Sequence, residues 1–264
     1  MALLTLHWSS SVLGKKTTMR VLLPDSGKGP FATLYLLHGL SDDSSNWTRN
    51  TRLEHYVRDL PLVVVMPDGY RGFYTTNAEG ADYAKHIGEE VPAFVERHFN
   101  VKKTRAGRAI GGLSMGGYGA LRLGLGYADR FCSVNSHSGA VGWGSSEDAA
   151  ELLAAAKRRG WTPEFTEEMK RVFGTNPLNT PHDIRWLAKR AMRASNLPKL
   201  LLDCGTEDFL LQDNRDLIRD FNAAKVPHTY REFPGAHDWD YWDLHIREAL
   251  AFHAVNLRLR VKTV

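Results

Sequence analysis

Apolar runs of four or five residues alternate along this chain with stretches whose apolar positions recur at helical spacing. Residues 33–37, 62–66, 109–113, 132–135 and 200–204 are mostly apolar throughout rather than at every second position. A strand reads that way when both faces of a parallel sheet are covered. Residues 5–9 and 19–23 predict an antiparallel pair at the N-terminal edge, and residues 229–233 a further strand. Helices are predicted over residues 45–58, 92–99, 115–127 and 214–225, with another in the C-terminal stretch that carries His245 and His253. Pro92 suits the first turn of its helix, where a missing N–H costs little. The order β-β-β-α-β-α-β-α-β predicts an α/β fold, a doubly wound and mostly parallel sheet with a partly antiparallel edge.

One segment breaks the rhythm. Residues 143–194 carry no strand signal and fit at least two amphipathic helices, at 147–159 and 184–193. An insertion of this size between two strands predicts a small helical cap over a site, the alternative being an excursion that covers the sheet edge. No repeat or low-complexity linker divides the chain, so residues 1–264 read as a single domain. At 264 residues and 43% apolar content, it is long enough to bury a sizeable core.

Charge changes this picture little. Lys and Arg number 34 against 30 Asp and Glu, a net of +4. The basic residues are scattered, the densest group being Lys157, Arg158 and Arg159, so no nucleic-acid partner is expected. No apolar run approaches the roughly 18 residues of a membrane span. The first 25 residues lack a basic stretch followed by an unbroken apolar one, so the expectation is a cytoplasmic protein without membrane contact. Homo-oligomerisation is left open. The two cysteines, Cys132 and Cys204, read as small core hydrophobes on strands that are candidate neighbours. No His, Cys and carboxylate grouping has metal-ligand spacing, so neither metal nor cofactor is expected, and Asp42-Asp43 reads as turn chemistry.

The sharpest local feature is Gly111-Gly112-Leu113-Ser114-Met115-Gly116-Gly117, which contains G-x-S-x-G. Chance alone places that pattern in about one chain of this length in ten, so its weight rests on position, directly after a strand and before a helix. A turn tight enough to expose a serine there strains the backbone and needs neighbours without a Cβ, here Gly112 and Gly116. The helix that follows brings its positive end to the place where an oxyanion would form. A nucleophilic serine needs a base, and the base an orienting acid. Of eleven histidines, His237 is selected, because it lies in a loop just beyond the strand at 229–233. His228 sits at the opposite end of that strand, and His245 and His253 lie on the final helix as ordinary partly buried or surface residues. Asp208, in the loop after residues 200–204, is preferred as the acid over its neighbour Glu207 and over Asp203 inside the strand. Asp213 and Asp216 read as first-turn carboxylates of the next helix. The oxyanion would be received by the backbone N–H groups of Met115 and of Leu40, in Leu37-His38-Gly39-Leu40. His38 reads as a buried strand-end histidine without a catalytic role. Trp47, Tyr74, Trp143 and Trp239 are candidates for lining a substrate pocket.

These motifs resemble an esterase family of the α/β-hydrolase fold, the tributyrin-type and esterase D-like serine carboxylesterases. The resemblance rests on Leu-Leu-His-Gly at 36–39 with Trp47 downstream, Gly-Leu-Ser-Met-Gly-Gly-Tyr-Gly-Ala-Leu at 112–121, the Cys-Gly-Thr-Glu-Asp run, and Gly-Ala-His-Asp-Trp at 235–239. It extends from Ser9 to Phe252 and implies a Ser114–Asp208–His237 triad, in agreement with the choice made from position. Relatives include S-formylglutathione hydrolases, feruloyl and acetyl-xylan esterases and mycolyltransferases. Asn135-Ser-His-Ser-Gly-Ala sets this chain apart from the formylglutathione enzymes. The expected function is therefore a serine carboxylesterase acting on small-molecule, short-chain acyl esters. A thioesterase of the formylglutathione type or a feruloyl or acetyl esterase is the alternative, and a non-catalytic binding scaffold a more distant one.

Overall fold

The apolar runs form a sheet. In the computed structural model, which describes residues 1–144, 154, 157 and 160–259, the strands are β1 (Ala2–Ser10), β2 (Lys15–Leu23), β3 (Ala32–Leu37), β4 (Leu62–Pro67), β5 (Arg108–Leu113), β6 (Ser133–His137), β7 (Lys199–Gly205) and β8 (Thr229–Phe233). Their order across the sheet is β1-β2-β4-β3-β5-β6-β7-β8. β2 is antiparallel to both neighbours, and β4 to β8 with β3 run parallel. The predicted doubly wound sheet with an antiparallel edge is therefore present, with the topology of an α/β hydrolase. The order reverses at β3, which pairs with both β4 and β5. The carboxyl ends of these strands form the crevice where ligands bind in such sheets.

Alternate residues of the buried strands feed two cores, as the period-two geometry of a strand requires. Tyr35, Leu37, Val63, Val65, Ile110, Val134, Leu200 and Leu202 belong to one. Leu34, Leu36, Leu62, Val64, Met66, Ala109, Leu113 and Leu201 belong to the other. The first core is covered by α4 (Val91–His98), α5 (Met115–Gly126), α6 (Pro163–Phe173), α7 (Ile184–Arg193) and α8 (Leu211–Ala223). The second is covered by α1 (Asn46–Asn50), α2 (Leu53–Val57) and α9 (Trp239–Asn256). A short α3 (Tyr83–Lys85) and one π-turn (His86–Glu90) lead into α4, both without a clear apolar signature. Glu90 there accepts from the backbone of Ser11 and Val12 and from the Ser10 hydroxyl, tying the β1–β2 turn to the helical layer. Burial alone would raise its carboxyl, but these donors together with His86 hold it at about 2.

Several expectations are corrected. The single helix expected over 45–58 is two. Thr51 is extended, at φ −136°, its hydroxyl donates back to the Trp47 carbonyl, and it accepts from Leu53 N–H at 3.2 Å. One side chain thus closes the first helix and starts the second. β6 begins after Cys132 and continues through the buried polar residues Ser136 and His137. Cys132 and Cys204 are both free thiols. They are not in contact: Cys132 accepts the Lys199 N–H at the start of β7, whereas Cys204 lies near its end. Within 143–194, the helix expected at 147–159 lies outside the described residues apart from Ala154 and Lys157. α7 matches the expected helix at 184–193, but its face of Ile184, Leu187, Ala188 and Ala191 is buried in the first core. It packs chiefly on α5 and α8. α6 was not anticipated, and it lies beside the loop after β4, where Val172 and Arg171 accept the N–H groups of Ala78 and Glu79.

His253 was read as an ordinary partly buried or surface residue and is instead fully buried on α9. Nε2 bonds to Asn135 Oδ1 at 2.8 Å, and Nδ1 to Ser133 Oγ at 2.7 Å. An amide oxygen only accepts, so Nε2 carries the hydrogen and Nδ1 accepts from the serine, which occupies the neutral ring completely. Burial, with the charge of His137 adding to it, brings its pKa down from 6.5 to about 3. The unfolded chain then binds a proton that the folded chain refuses, so stability present above about pH 6.5 is lost as the pH falls. His182, held at about 4 chiefly by burial, acts in the same direction. His253→Gln is expected to remove about 2 kcal/mol of the stability difference between pH 7 and pH 5. Urea unfolding of both proteins at the two pH values checks this, and an unchanged difference would count against a neutral buried ring.

Candidate active site

The predicted serine is held in a strained backbone conformation. β5 ends at Leu113, α5 begins at Met115, and Ser114 between them has φ 53° and ψ −116°. A non-glycine residue in such a region costs on the order of 1–3 kcal/mol and persists only where its surroundings enforce it. The enforcement is visible. A Cβ on Gly112 would stand 2.5 Å from the Gly116 carbonyl oxygen, and one on Gly116 2.5 Å from that of Leu37 and 2.6 Å from that of His38. Ser114 N–H donates to the His137 carbonyl at 2.9 Å, and its own carbonyl accepts from Tyr118 and Ala140, both at 3.0 Å. The hydroxyl is left half-buried at the sheet's carboxyl edge.

Two loops at the same edge deliver the other predicted groups. His237 follows β8 and Asp208 follows β7, the two lying 29 residues apart. His237 Nε2 is 2.9 Å from Ser114 Oγ, and Nδ1 is 2.8 Å from Asp208 Oδ2. An ionised carboxylate only accepts, so Nδ1 carries the hydrogen and Nε2 is free to accept from the serine hydroxyl. The Asp208 side chain is fully buried, and its Oδ1 accepts from Leu210 N–H at 2.8 Å. Burial pushes this carboxyl up, but the hydrogen bond and charge of His237, with Leu210 N–H and the Ser138 hydroxyl, hold it below its ordinary value. The arrangement can accept a serine proton at Nε2 and stabilise the imidazolium that results.

The competing carboxylates stand elsewhere. Glu207 is exposed and accepts from Gly235 N–H and from the Thr206 hydroxyl, fastening the loop of Asp208 to that of His237. Asp203 is buried inside β7, where it accepts from His137 Nδ1 at 2.7 Å and from the Tyr241 hydroxyl at 3.0 Å. Asp216 accepts from Gln212 and Arg219 on its own helix.

The loop after β3 passes close to the serine, a Cβ on Gly39 reaching 3.8 Å from Ser114 Cβ. Asp42 holds it, accepting from Gly39 N–H at 3.1 Å and from Asn46 at 2.8 Å. Among the described residues, neither Leu40 N–H nor Met115 N–H donates to a protein acceptor. His38 is buried, with Nδ1–H donating to the Gly39 carbonyl at 2.7 Å and Nε2 accepting from Gly69 N–H at 2.9 Å. Both ring nitrogens are thus used by the backbone, as the sequence suggested.

Of the four pocket candidates, two lie in the core. Trp47 is 1% exposed and donates to the Leu37 carbonyl at 3.0 Å, and Tyr74 is 0% exposed with its hydroxyl on the His38 carbonyl at 2.9 Å. Side chains so covered brace the loop from behind and leave almost no surface free to line a pocket. Trp143 stacks on Trp161 and Phe173 in an aromatic cluster beneath α6. Trp239 is half-buried and packs edge-on against Trp47 and Trp242. Three residues near the imidazole were missed or set aside. Trp242, buried on α9, meets the His237 ring edge-on at 4.9 Å. Phe209 lies 4.5 Å from the same ring on its solvent side. Ser138 reaches Asp208. Phe209 adjoins Asp208 in sequence, and that adjacency was the available signal. Among the described residues, no group of three or more His, Cys, Asp or Glu is placed to hold a metal ion, and no helix is long and apolar enough to cross a membrane.

Comparison with known proteins places the chain among esterases. An acetyl esterase of Caldicellulosiruptor saccharolyticus is 31% identical over 269 aligned residues, covering 94% of this chain and 97% of that protein. Among solved structures, the fluorophosphonate-binding serine hydrolase FphF of Staphylococcus aureus, with substrate bound, superposes with a TM-score of 0.80 at 32% identity, covering 96% of this chain and 98% of that one. The S-formylglutathione hydrolase FrmB of Staphylococcus aureus does so with a TM-score of 0.78 at 32% identity and the same coverage. The Esterase family model matches residues 10–253. With nearly its whole length accounted for in this way, the chain belongs to the Esterase family and is a carboxylesterase on the α/β-hydrolase fold.

Proposed function

We propose that this carboxylesterase hydrolyses short-chain acyl esters of small molecules through an acyl-enzyme on Ser114. The observation that carries the reading is the continuous line from Asp208 to His237 to Ser114, with separations of 2.8 and 2.9 Å. Ser114 Oγ attacks the ester carbonyl as Nε2 of His237 takes its proton. Asp208 holds the imidazole in the tautomer that can accept and offsets the charge it gains. The carbonyl oxygen turns towards the N–H groups of Leu40 and Met115, which the Asp42 clasp and the helix start hold without a competing acceptor among the described residues. The imidazolium then protonates the departing alcohol, and water, activated by the same ring, releases the acid.

The acetyl esterase relative supports a small acyl group. A cavity of about 560 Å³ lies beside the loop after β3, between Ser41, Tyr70 and Arg71 on one side and Glu168 and Arg171 of α6 on the other. We assign α6, joined to Arg71 through Glu168 at 2.7 Å, as the described part of a cap-like wall. The likeness to an S-formylglutathione hydrolase supports thioester hydrolysis as a second activity of the same machinery. A cytoplasmic enzyme without cofactor accords with both readings.

Ser114→Ala is expected to lower kcat/KM for p-nitrophenyl acetate at least a thousandfold with an unchanged melting temperature, and retention of a tenth of the activity would contradict the assignment. Asp208→Asn is expected to cost on the order of a thousandfold in kcat, because an amide stabilises the wrong tautomer. Asp203→Asn should instead lower the melting temperature, since His137 and Tyr241 lose a buried acceptor, and change kcat less than about tenfold. Rates and thermal unfolding measured on both aspartate variants separate the roles. Across p-nitrophenyl esters from acetate to laurate, kcat/KM should be highest from acetate to butyrate, and a maximum at decanoate or beyond would contradict the short-chain reading.

A further inference from the structure

The alcohol half of an ester departs past the imidazole that activated the serine, because Nε2 of His237 must hand its proton to the leaving oxygen. That half of the substrate therefore lies on the His237 side of Ser114, while the carbonyl oxygen faces Leu40 and Met115. Phe209 stands on that side. It is 76% exposed, and it is the one exposed phenylalanine, tyrosine or tryptophan among the described residues. Its ring lies 4.5 Å from the His237 ring at an angle of 52°, and Trp242 meets the same imidazole edge-on at 4.9 Å.

The exposure of Phe209 is imposed by a firmly held backbone. Asp208 and Leu210 on either side are buried. Leu210 N–H donates to Asp208 Oδ1 at 2.8 Å, and Leu211 N–H to the Asp208 carbonyl at 3.0 Å. The turn that aims Asp208 at His237 thus also points Phe209 outward at the rim. A phenylalanine there forgoes the burial it ordinarily gains on folding, which a bound apolar group would restore.

We infer that Phe209 is a specificity-determining residue, an apolar platform for the alcohol half of the ester that favours aryl and larger alkyl leaving groups. The inference rests on the triad reading above. A residue that only shielded the Asp208–His237 hydrogen bond would affect every ester alike. A platform acts in proportion to the apolar surface of the alcohol.

The test compares kcat/KM of the wild type, Phe209→Ala and Phe209→Leu on methyl, butyl, phenyl and naphthyl acetates. Each ester is compared with itself across variants, so intrinsic leaving-group reactivity cancels. In Phe209→Ala the loss on the naphthyl ester should exceed that on the methyl ester roughly tenfold, with Phe209→Leu between. A uniform loss, including an inactive Phe209→Ala, or a loss greatest for methyl acetate would overturn the platform. Ser114→Ala is assayed alongside. If it still turns over, the nucleophile reading fails, whereas a flat Phe209 profile beside an inactive Ser114→Ala removes the platform alone.

Discussion

Ser114 sits in a backbone conformation that an L-residue adopts only under compulsion, and most of the molecule is arranged to compel it. The two glycines beside it are there because backbone carbonyls of β3 and of the first helical turn occupy the space their side chains would need. The chain must pass from β5 into α5 within one residue, and the price is strain at that residue. Two neighbouring strands supply the bracing: the β3 end through the carbonyls of Leu37 and His38, and the β6 end through the His137 carbonyl that accepts Ser114 N–H. Trp47 and Tyr74 in turn hold those β3 carbonyls from behind.

Beneath this turn runs a polar layer unusual for a parallel sheet. Ser133, Asn135, Ser136 and His137 of β6 are all buried. Ser136 points to the opposite face, beside Gly117 and Gly139, and the other three face Asp203 and Tyr241 towards one end of the strand and His253 towards the other. Buried polar groups are costly unless paired, and paired they fix one arrangement among many. Here they register α9 against the sheet, and α9 carries Trp242 against the catalytic imidazole. The site's geometry is thus tied to interactions some distance from it.

The same layer explains what could and could not be read from the chain. The apolar strands β3, β4 and β5 announced themselves, as did the serine between its glycines, because each rests on a local pattern. His237 and Asp208 were found from their position after strands, which is topological information carried by element order. β6 was shortened and His253 misplaced because a buried polar strand has no apolar period, and the partner that satisfies it lies some 120 residues away. Thr51 split a helix through a single hydroxyl, which a periodicity cannot register. Trp47 and Tyr74 read as pocket lining because an aromatic near a motif looks the same in sequence whether it faces the substrate or the core. Phe209 was passed over for the converse reason: nothing in its type distinguishes an exposed phenylalanine from a buried one.

The account depends on Ser114 carrying the acyl group during turnover. Wild-type enzyme mixed with p-nitrophenyl acetate, quenched in acid within the turnover time and digested, should yield one acetylated peptide by mass spectrometry, with the acetyl group on Ser114. Acetylation of a different side chain, or steady turnover with no covalent adduct under conditions where deacylation limits the rate, would contradict it.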